Sequence, residues 1–215
     1  LLGQVPAVLG MLFSLGLAVS ANELTWPLFC TLALTLGQAH WWRWQRDKLI
    51  DAFPDPEKIK LFPSAVEAVF SAGLVMQLFA WMTNKPGIEW ETWLWAGSLI
   101  AVGMSVYAVI TRARFIGLFS QVFLGMSCLA MVALFVPRGD TNLFVALIPV
   151  ATLLLMSVGA SIVSANSGQS SALASDPVRI VLFGYRSVAA VLGLLWIGWF
   201  VPGDSVMLVY VLVGV

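Results

Sequence analysis

The sequence has little charge, a single histidine and two cysteines. Of its 215 residues, 10% are charged and 60% are hydrophobic, and the mean hydropathy is +0.93. Soluble domains carry about 25% charged residues, so this composition excludes an ordinary soluble domain. Eleven basic residues balance eleven acidic ones, which leaves no positive field for nucleic acid. Cys30 and Cys128 lie within apolar runs and predict no disulfide framework.

Motifs for catalysis and cofactor binding are also missing. The sequence has no glycine-rich phosphate loop, no His-Glu-x-x-His and no Cys-x-x-Cys. One histidine, His40, cannot form a metal site by itself. We interpret it as packing at the membrane interface, with a proton-linked role as the alternative. The sequence therefore indicates no cofactor, no metal and no catalytic residue, and it makes an enzyme the less favoured class.

Long apolar runs fill most of the chain. A helix needs about 20 apolar residues to cross a bilayer, and only helices or closed barrels satisfy their backbone groups in lipid. The runs show no period-two alternation, so they predict an all-α polytopic bundle of about eight spans. Because the chain starts without Met and ends inside an apolar run, we expect a fragment whose missing parts add helix–helix contacts. The predicted spans are 3–20, 26–42, 64–82, 92–111, 115–137, 142–165, 178–202 and the truncated 205–215.

The connectors between the spans alternate in charge. The connectors on one predicted side of the membrane together carry eight Lys or Arg residues, and those on the other side carry two. Since basic loops stay in the cytoplasm, this bias predicts cytoplasmic basic loops and a cytoplasmic N-terminus for the first helix. The tryptophans gather at both predicted interfaces. They indicate aromatic belts, with a glycan or lipid-headgroup platform as the alternative.

A basic residue, a span, a short outer tip and a returning span recur along the chain. With Arg179 aligned on Arg114, the two segments align over 24 positions without a gap and end in the same Phe-Val-Pro, at Pro137 and Pro202. We interpret the pattern as duplication within a single transmembrane domain, 1–215, and convergent composition is the alternative. The predicted hairpin repeats are 1–42, 60–111, 114–165 and 179–215.

One position of the repeat carries the candidate functional residues. Seven residues after the basic start stand Glu67, Gln121 and Arg186. Ionisable residues within a membrane are candidates for function, and the repeat makes Glu67 the expected partner of Arg186. Two alternatives remain open. Arg186 can extend to the headgroups, and Glu67 can complete a capping box for a helix that begins at Ser64.

Two further repeat positions predict packing. Small residues at the eleventh position indicate a face that packs inward beside each polar residue: Ser71, Gly125 and Ala190. Aromatic residues at the twenty-first position are expected at the outer interface: Trp81, Phe135 and Phe200. In the inner connector 44–62, the Asp-Pro-Glu at 55–57 predicts a short helix on the membrane surface, or else a cytoplasmic docking site. The segment 161–176 predicts a flexible connector.

Helix starts such as 114–118, Arg-Phe-Ile-Gly-Leu, together with the repeat as a whole, resemble a family of very long bacterial membrane proteins. These proteins contain many helices in tandem and are catalogued as a domain of unknown function. The resemblance implies a bacterial cytoplasmic (inner) membrane and an undetermined role. It supplies no catalytic residues.

Three classes of function remain open for a protein whose first partner is the lipid bilayer. Sparse polar content within the spans favours a structural or envelope-associated integral membrane protein. A transporter or channel would use Glu67, Gln121 and Arg186, with a broken helix at Pro149 or in 157–164. A membrane enzyme acting on lipid-linked substrates would need acidic or histidine residues on an outer loop, and the predicted outer loops are short.

Overall fold

The regular structure is entirely α-helical wherever the chain is described. The computed structural model describes residues 5–20, 26–52, 56–85, 87, 89–135, 143–166 and 176–200. No strand occurs in these ranges, in agreement with the predicted all-α class. The helices are α1 Val5–Ser20, α2 Trp26–Ala52, α3 Pro56–Asn84, α4 Trp90–Thr111, α5 Arg114–Phe119, α6 Gln121–Phe135, α7 Leu143–Ala146, α8 Ile148–Asn166 and α9 Asp176–Phe200.

Five stretches of the described chain are long and apolar enough to cross a membrane, which is compatible with a multi-pass integral membrane protein. They match the third to the seventh predicted spans. α1 contributes the shorter apolar stretch Val8–Ser20. α2 is not among the five, because threonine, glutamine, histidine and charged residues lower its hydropathy. The predicted span 205–215 lies outside the described residues, so eight spans stay a prediction. The five are Leu61–Asn84, Trp90–Thr111, Arg114–Leu134, Phe144–Ile162 and Ile180–Phe200.

α2 and α3 extend beyond the predicted spans on either side of the inner connector. α2 continues to Ala52, and α3 begins at Pro56, where a separate surface helix was expected. Proline is favourable there because the first turn of a helix has no acceptor for its N–H. α3 then runs through Pro63. The predicted capping box at Ser64 and Glu67 is therefore wrong, since no helix begins there.

Two predicted spans are divided locally. Ser120 separates α5 from α6, although its dihedral angles are helical and its N–H bonds to the Ile116 carbonyl at 3.0 Å. Leu147 separates α7 from α8. Pro149 has no N–H to donate to the carbonyl four residues earlier, which explains this second interruption. It lies near the start of a long helix, and 157–164 continues within α8. Neither supplies the mid-membrane break that the transporter interpretation expected.

Contacts divide the chain into two units. Unit 1 comprises Leu1–Ile88 with Gly103–Phe123, and unit 2 comprises Glu89–Val102 with Leu124–Val215. In unit 1, α3 packs against α1, α2 and α5. Its apolar cluster has Leu74, Ala113 and Ile116 at the centre. In unit 2, α8 packs against α9 and α7.

Two of the three most extensive helix pairs are formed across connectors that the sequence predicts to be basic, whereas the third, α1 with α3, joins helices that are not consecutive. α2 packs on α3, and α8 packs on α9. The predicted repeat instead pairs helices across an outer tip. The outer tips at 136–142 and after 200 lie outside the described residues, so the hairpin repeat stays a prediction.

A two-residue turn joins α4 to α5. Arg112 has a left-handed φ of 57°. Its N–H bonds to the Val109 carbonyl at 3.3 Å, and the Ala113 N–H bonds to the Ala108 carbonyl at 3.0 Å. This is the Schellman pattern that ends many helices. The turn brings Gly117 of α5 onto Ala108, where an added Cβ would lie 2.9 Å from the Ala108 Cβ.

Candidate functional site

One face of α3 is both polar and buried. Glu67, Ser71 and Gln77 are at most 1% exposed, and at 3.6 residues per turn they fall within about 120° of arc. The ten positions from Glu67 to Gln77 cover about 15 Å of helix, roughly half of the hydrocarbon core of a bilayer. We call these three residues the α3 polar row. They place an ionisable group and two neutral polar groups in line within a candidate span.

Arg46 of α2 binds Glu67, which forms one end of the α3 polar row. Its Nη1 donates to Glu67 Oε2 at 2.7 Å, and the Glu67 side chain is 1% exposed. Its Nε and Nη2 each donate to Asp47 Oδ1 at 3.2 Å, and Asp47 is 55% exposed. Arg46 therefore joins a buried carboxylate to an exposed one.

Gln77 forms the other end of the α3 polar row and bonds to residues of α1 and α2. Its Nε2 donates to the Met11 carbonyl at 3.3 Å and to Thr35 Oγ1 at 3.4 Å. The same nitrogen donates to Ser14 Oγ. Ser14 in turn donates to the Met11 carbonyl at 2.7 Å. Three helices thus meet around one buried amide.

Three oxygens of the row accept no hydrogen bond from any described residue: Glu67 Oε1, Ser71 Oγ and Gln77 Oε1. Leaving a buried polar atom unpaired costs about 1–3 kcal/mol. For this reason nearly all such atoms in native proteins bond to protein, water or an ion. The row consequently presents a line of acceptors to water or to a protonated species.

Glu67 and Arg186 bond to partners different from those expected. Glu67 pairs with Arg46, where the repeat predicted Arg186. In unit 2, Arg186 Nε donates to Ser157 Oγ of α8 at 3.0 Å. Partner choice depends on which helices pack together, and the repeat did not contain that information.

Gln121, the third candidate, also bonds to the preceding span. Its Nε2 donates to Ser105 Oγ of α4 at 3.2 Å and to the Gly117 carbonyl of α5 at 2.9 Å. Glu67 and Arg186 likewise bond to the span before their own. Each candidate therefore bonds to a neighbouring helix, with a partner that the repeat did not predict.

The small residues beside these candidates divide into two groups. Ser71 is buried as predicted. Gly125 and Ala190 are exposed, so the inward face predicted for α6 and α9 is wrong at these positions. The buried positions nearby are Leu124 and Ala189, one residue earlier. A rotation of about 100° per residue is enough to turn a side chain from the packed face to the surface.

Sequence reasoning missed two other interhelical contacts. His40 Nε2 and the Tyr107 hydroxyl are 2.6 Å apart, joining α2 to α4. In unit 2, Ser98 Oγ and Ser127 Oγ are 2.7 Å apart, and Ser127 donates to the Leu94 carbonyl at 2.6 Å. No local spacing signals these pairs. Gln77 could have been found, since it shares a helix face with Glu67.

Most of the described tryptophans suit an aromatic belt. Trp41, Trp44, Trp90 and Trp95 are exposed, whereas Trp93 is 5% exposed and packs within the protein. The aromatic belt stays a prediction. Near the C-terminal end of α2, Lys48 Nζ lies 3.7 Å from the Trp44 ring centroid. This cation–π contact holds a positive charge beside exposed aromatic surface.

Comparison of the chain with protein-family models, with curated proteins and with solved structures found no match. Within the described residues, no group of three or more His, Cys, Asp or Glu side chains is arranged to hold a metal. The functional argument therefore depends on the α3 polar row and its partners.

Proposed function

We propose that this protein is a multi-pass integral membrane protein that moves protons across the bilayer through unit 1, with Glu67 as the proton carrier. The supporting observation is a buried carboxyl group with two different oxygens. Oε2 is bound by Arg46, and Oε1 is free of hydrogen bonds within the described chain. Carboxyl groups inside membranes commonly serve in proton relays.

Two opposing effects act on the Glu67 carboxyl group. The nearby Arg46 charge stabilises the carboxylate form, and burial stabilises the neutral acid. Because Arg46 also bonds to Asp47, it keeps one carboxylate partner when Glu67 takes up a proton. The site can therefore accept and release a proton without leaving the guanidinium unpaired.

The rest of the row continues the route toward α1 and α2. The Ser71 hydroxyl can both donate and accept, and the Gln77 oxygen accepts. Beyond Gln77 follow the hydroxyl groups of Ser14 and Thr35, which its amide already contacts. Water between these groups would complete the relay, since a polar lining supplies the partners that a buried water needs.

Proton flux into liposomes that contain the full chain tests this function. A potassium diffusion potential drives the flux, and an internal pH-sensitive dye reports it. We expect flux above that of protein-free liposomes and a loss of about tenfold or more in Glu67→Gln, which keeps the shape but cannot carry the proton. Glu91→Gln is the matched control, because Glu91 is exposed in the first turn of α4.

Two results would reject the proposal. Wild-type flux equal to that of empty liposomes would remove the function altogether. Full flux in Glu67→Gln, with an unchanged helical circular dichroism spectrum, would remove Glu67 from the path. If Glu67→Gln does not fold, Ser71→Ala gives a second measurement, with a partial loss of flux expected from the shortened row.

A structural, envelope-associated role is the second candidate. It is favoured by polar groups that bond between helices, such as Ser98 to Ser127 in unit 2. Such bonds stabilise helix association without any transport. In this case Glu67→Gln would lower the thermal stability, and neither the wild type nor any variant would show proton flux above that of protein-free liposomes.

We also propose that the protein lies in a bacterial cytoplasmic membrane with the Arg46 end of the row toward the cytoplasm. The excess of basic residues in alternate connectors supports this orientation. The stacked Lys48 at the same end is suited to contact anionic headgroups. Cysteine accessibility at Lys48→Cys and Lys85→Cys would show the two positions on opposite sides of the membrane.

A further inference from the structure

A cleft of about 230 Å³ opens beside the α3 polar row in unit 1. It is formed by α1 and α2, with one residue of α3. Drug-sized ligands occupy sites of about 300–1,000 Å³, so this cleft suits a smaller molecule. Its lining residues are Gly10, Met11, Thr31, Leu34, Thr35, Gln38 and Phe70.

The cleft adjoins the Gln77 end of the α3 polar row. Met11 and Thr35 line the cleft, and both accept hydrogen bonds from Gln77. A molecule in the cleft would therefore share hydrogen-bonding groups with the proposed path.

The polar lining is neutral and rich in acceptors. Thr31 Oγ1 donates to the Leu28 carbonyl at 2.8 Å, and Thr35 Oγ1 donates to the Thr31 carbonyl at 2.8 Å. With their hydrogens used in this way, Thr31 Oγ1 remains as an acceptor, Thr35 Oγ1 keeps one lone pair beside the bond from Gln77, and Gln38 adds an amide. None of the described residues that line the cleft is charged. A matching ligand therefore carries N–H or O–H donors and no net charge.

The remaining lining is apolar. Met11, Leu34 and Phe70 can cover the carbon skeleton of a ligand. Small-molecule sites commonly combine an apolar lining with a few polar groups that fix orientation. The cleft has this combination on a small scale.

We propose that this cleft binds a small neutral solute with hydrogen-bond donors, of the polyol or amide class, and delivers it to the α3 polar row. This inference rests on the proton-moving function proposed above and assigns a substrate class to it. The solute would enter beside Thr31 and Thr35 and move with protons carried by Glu67.

A pair of glycines in α1 allows the cleft to be filled without removing a polar group. A Cβ added at Gly10, which lines the cleft, meets no atom within 4 Å, and the same holds at Gly16, which does not line it. Gly10→Val therefore narrows the cleft, and Gly16→Val is its control. Both changes carry a similar cost to the helix.

A second pair of variants tests the hydrogen bond. Thr31→Val removes one acceptor at nearly constant volume, and we expect the KM for the solute to rise about tenfold. Thr83→Val is the control, because Thr83 also donates to backbone carbonyls of its own helix, at 3.0 Å, and is exposed.

The experiment uses full-chain proteoliposomes with glycerol and urea as probes. Swelling is followed by light scattering with and without a pH gradient, and proton flux is measured in parallel. We expect faster swelling than in protein-free liposomes, its loss in Gly10→Val, and its retention in Gly16→Val and Thr83→Val.

Other outcomes separate the two proposals. Proton flux without swelling by either probe would overturn the inference and leave the proposed function standing. Swelling that is equal in Gly10→Val and wild type would also overturn it, as would binding of a lipid acyl chain in the cleft. Absence of both proton flux and swelling would overturn the function and the inference together.

Discussion

Arg46 is the residue on which the site depends most directly. Its guanidinium bonds to Glu67, which is 1% exposed, and to Asp47 at the surface. A buried carboxylate is tolerated only with such compensation, because its desolvation costs several kcal/mol. The pair therefore contributes less net stability than the loss of either partner would suggest.

The Arg46–Glu67 pair predicts an asymmetry between single and double variants. Arg46→Gln should lower the free energy of unfolding by about 3–5 kcal/mol at neutral pH, since it leaves a buried carboxylate unpaired. Arg46→Gln with Glu67→Gln should recover most of this loss, because the charge is then removed. Reversible unfolding in mixed micelles measures both values. A double variant no more stable than Arg46→Gln would contradict the explanation.

Arg112 illustrates backbone strain at a single residue. Its φ of 57° is a conformation that glycine adopts at no steric cost. Arg112→Gly should raise the free energy of unfolding by up to about 1 kcal/mol. The same unfolding assay checks the sign, with Val106→Gly, at an exposed position in the interior of α4, as a comparison that should destabilise. A loss of stability in Arg112→Gly would show that the arginine side chain contributes more than the turn costs.

At the scale of elements, close contacts determine how the helices of unit 1 pack. The short turn after α4 brings Gly117 against Ala108, and α1 approaches α3 so closely that a Cβ at Gly73 would overlap Met11. The two contacts differ in how easily they would accommodate an added methyl group. Met11 can change rotamer, whereas the Ala108 methyl group moves only with its helix.

Gly117→Ala tests the contact between α4 and α5. The added Cβ would lie 2.9 Å from the Ala108 Cβ, and overpacking of this kind costs about 1–3 kcal/mol. In Gly125→Ala the added Cβ meets no atom within 4 Å, so we expect this control to be neutral or slightly stabilising. Equal stability of the two variants would mean that the helices separate at little cost.

For the whole molecule, composition and hydropathy were sufficient to predict the all-α class and the five described stretches with spanning composition. The interior of the site was predicted only in part. Glu67 stands out because charge is rare in spans, but Arg46 lies in the connector 44–62, for which the sequence predicts a helix on the membrane surface or a cytoplasmic docking site. α2 continues as a helix into that connector as far as Ala52, and this continuation brings Arg46 to Glu67. The sequence pattern could not indicate it, because the pairing depends on tertiary packing.

The composition of α2 has a consequence for the biosynthesis of the protein. α2 has polar residues at Thr31, Thr35 and His40, and two of them, Thr35 and His40, bond to residues of other helices in unit 1. A segment of this kind partitions poorly into lipid while it is alone. During synthesis, α2 would remain at the translocon until α3 emerges and supplies partners, so that the two helices enter the bilayer together. The order of events at the ribosome would then follow from the same hydrogen bonds that form the site.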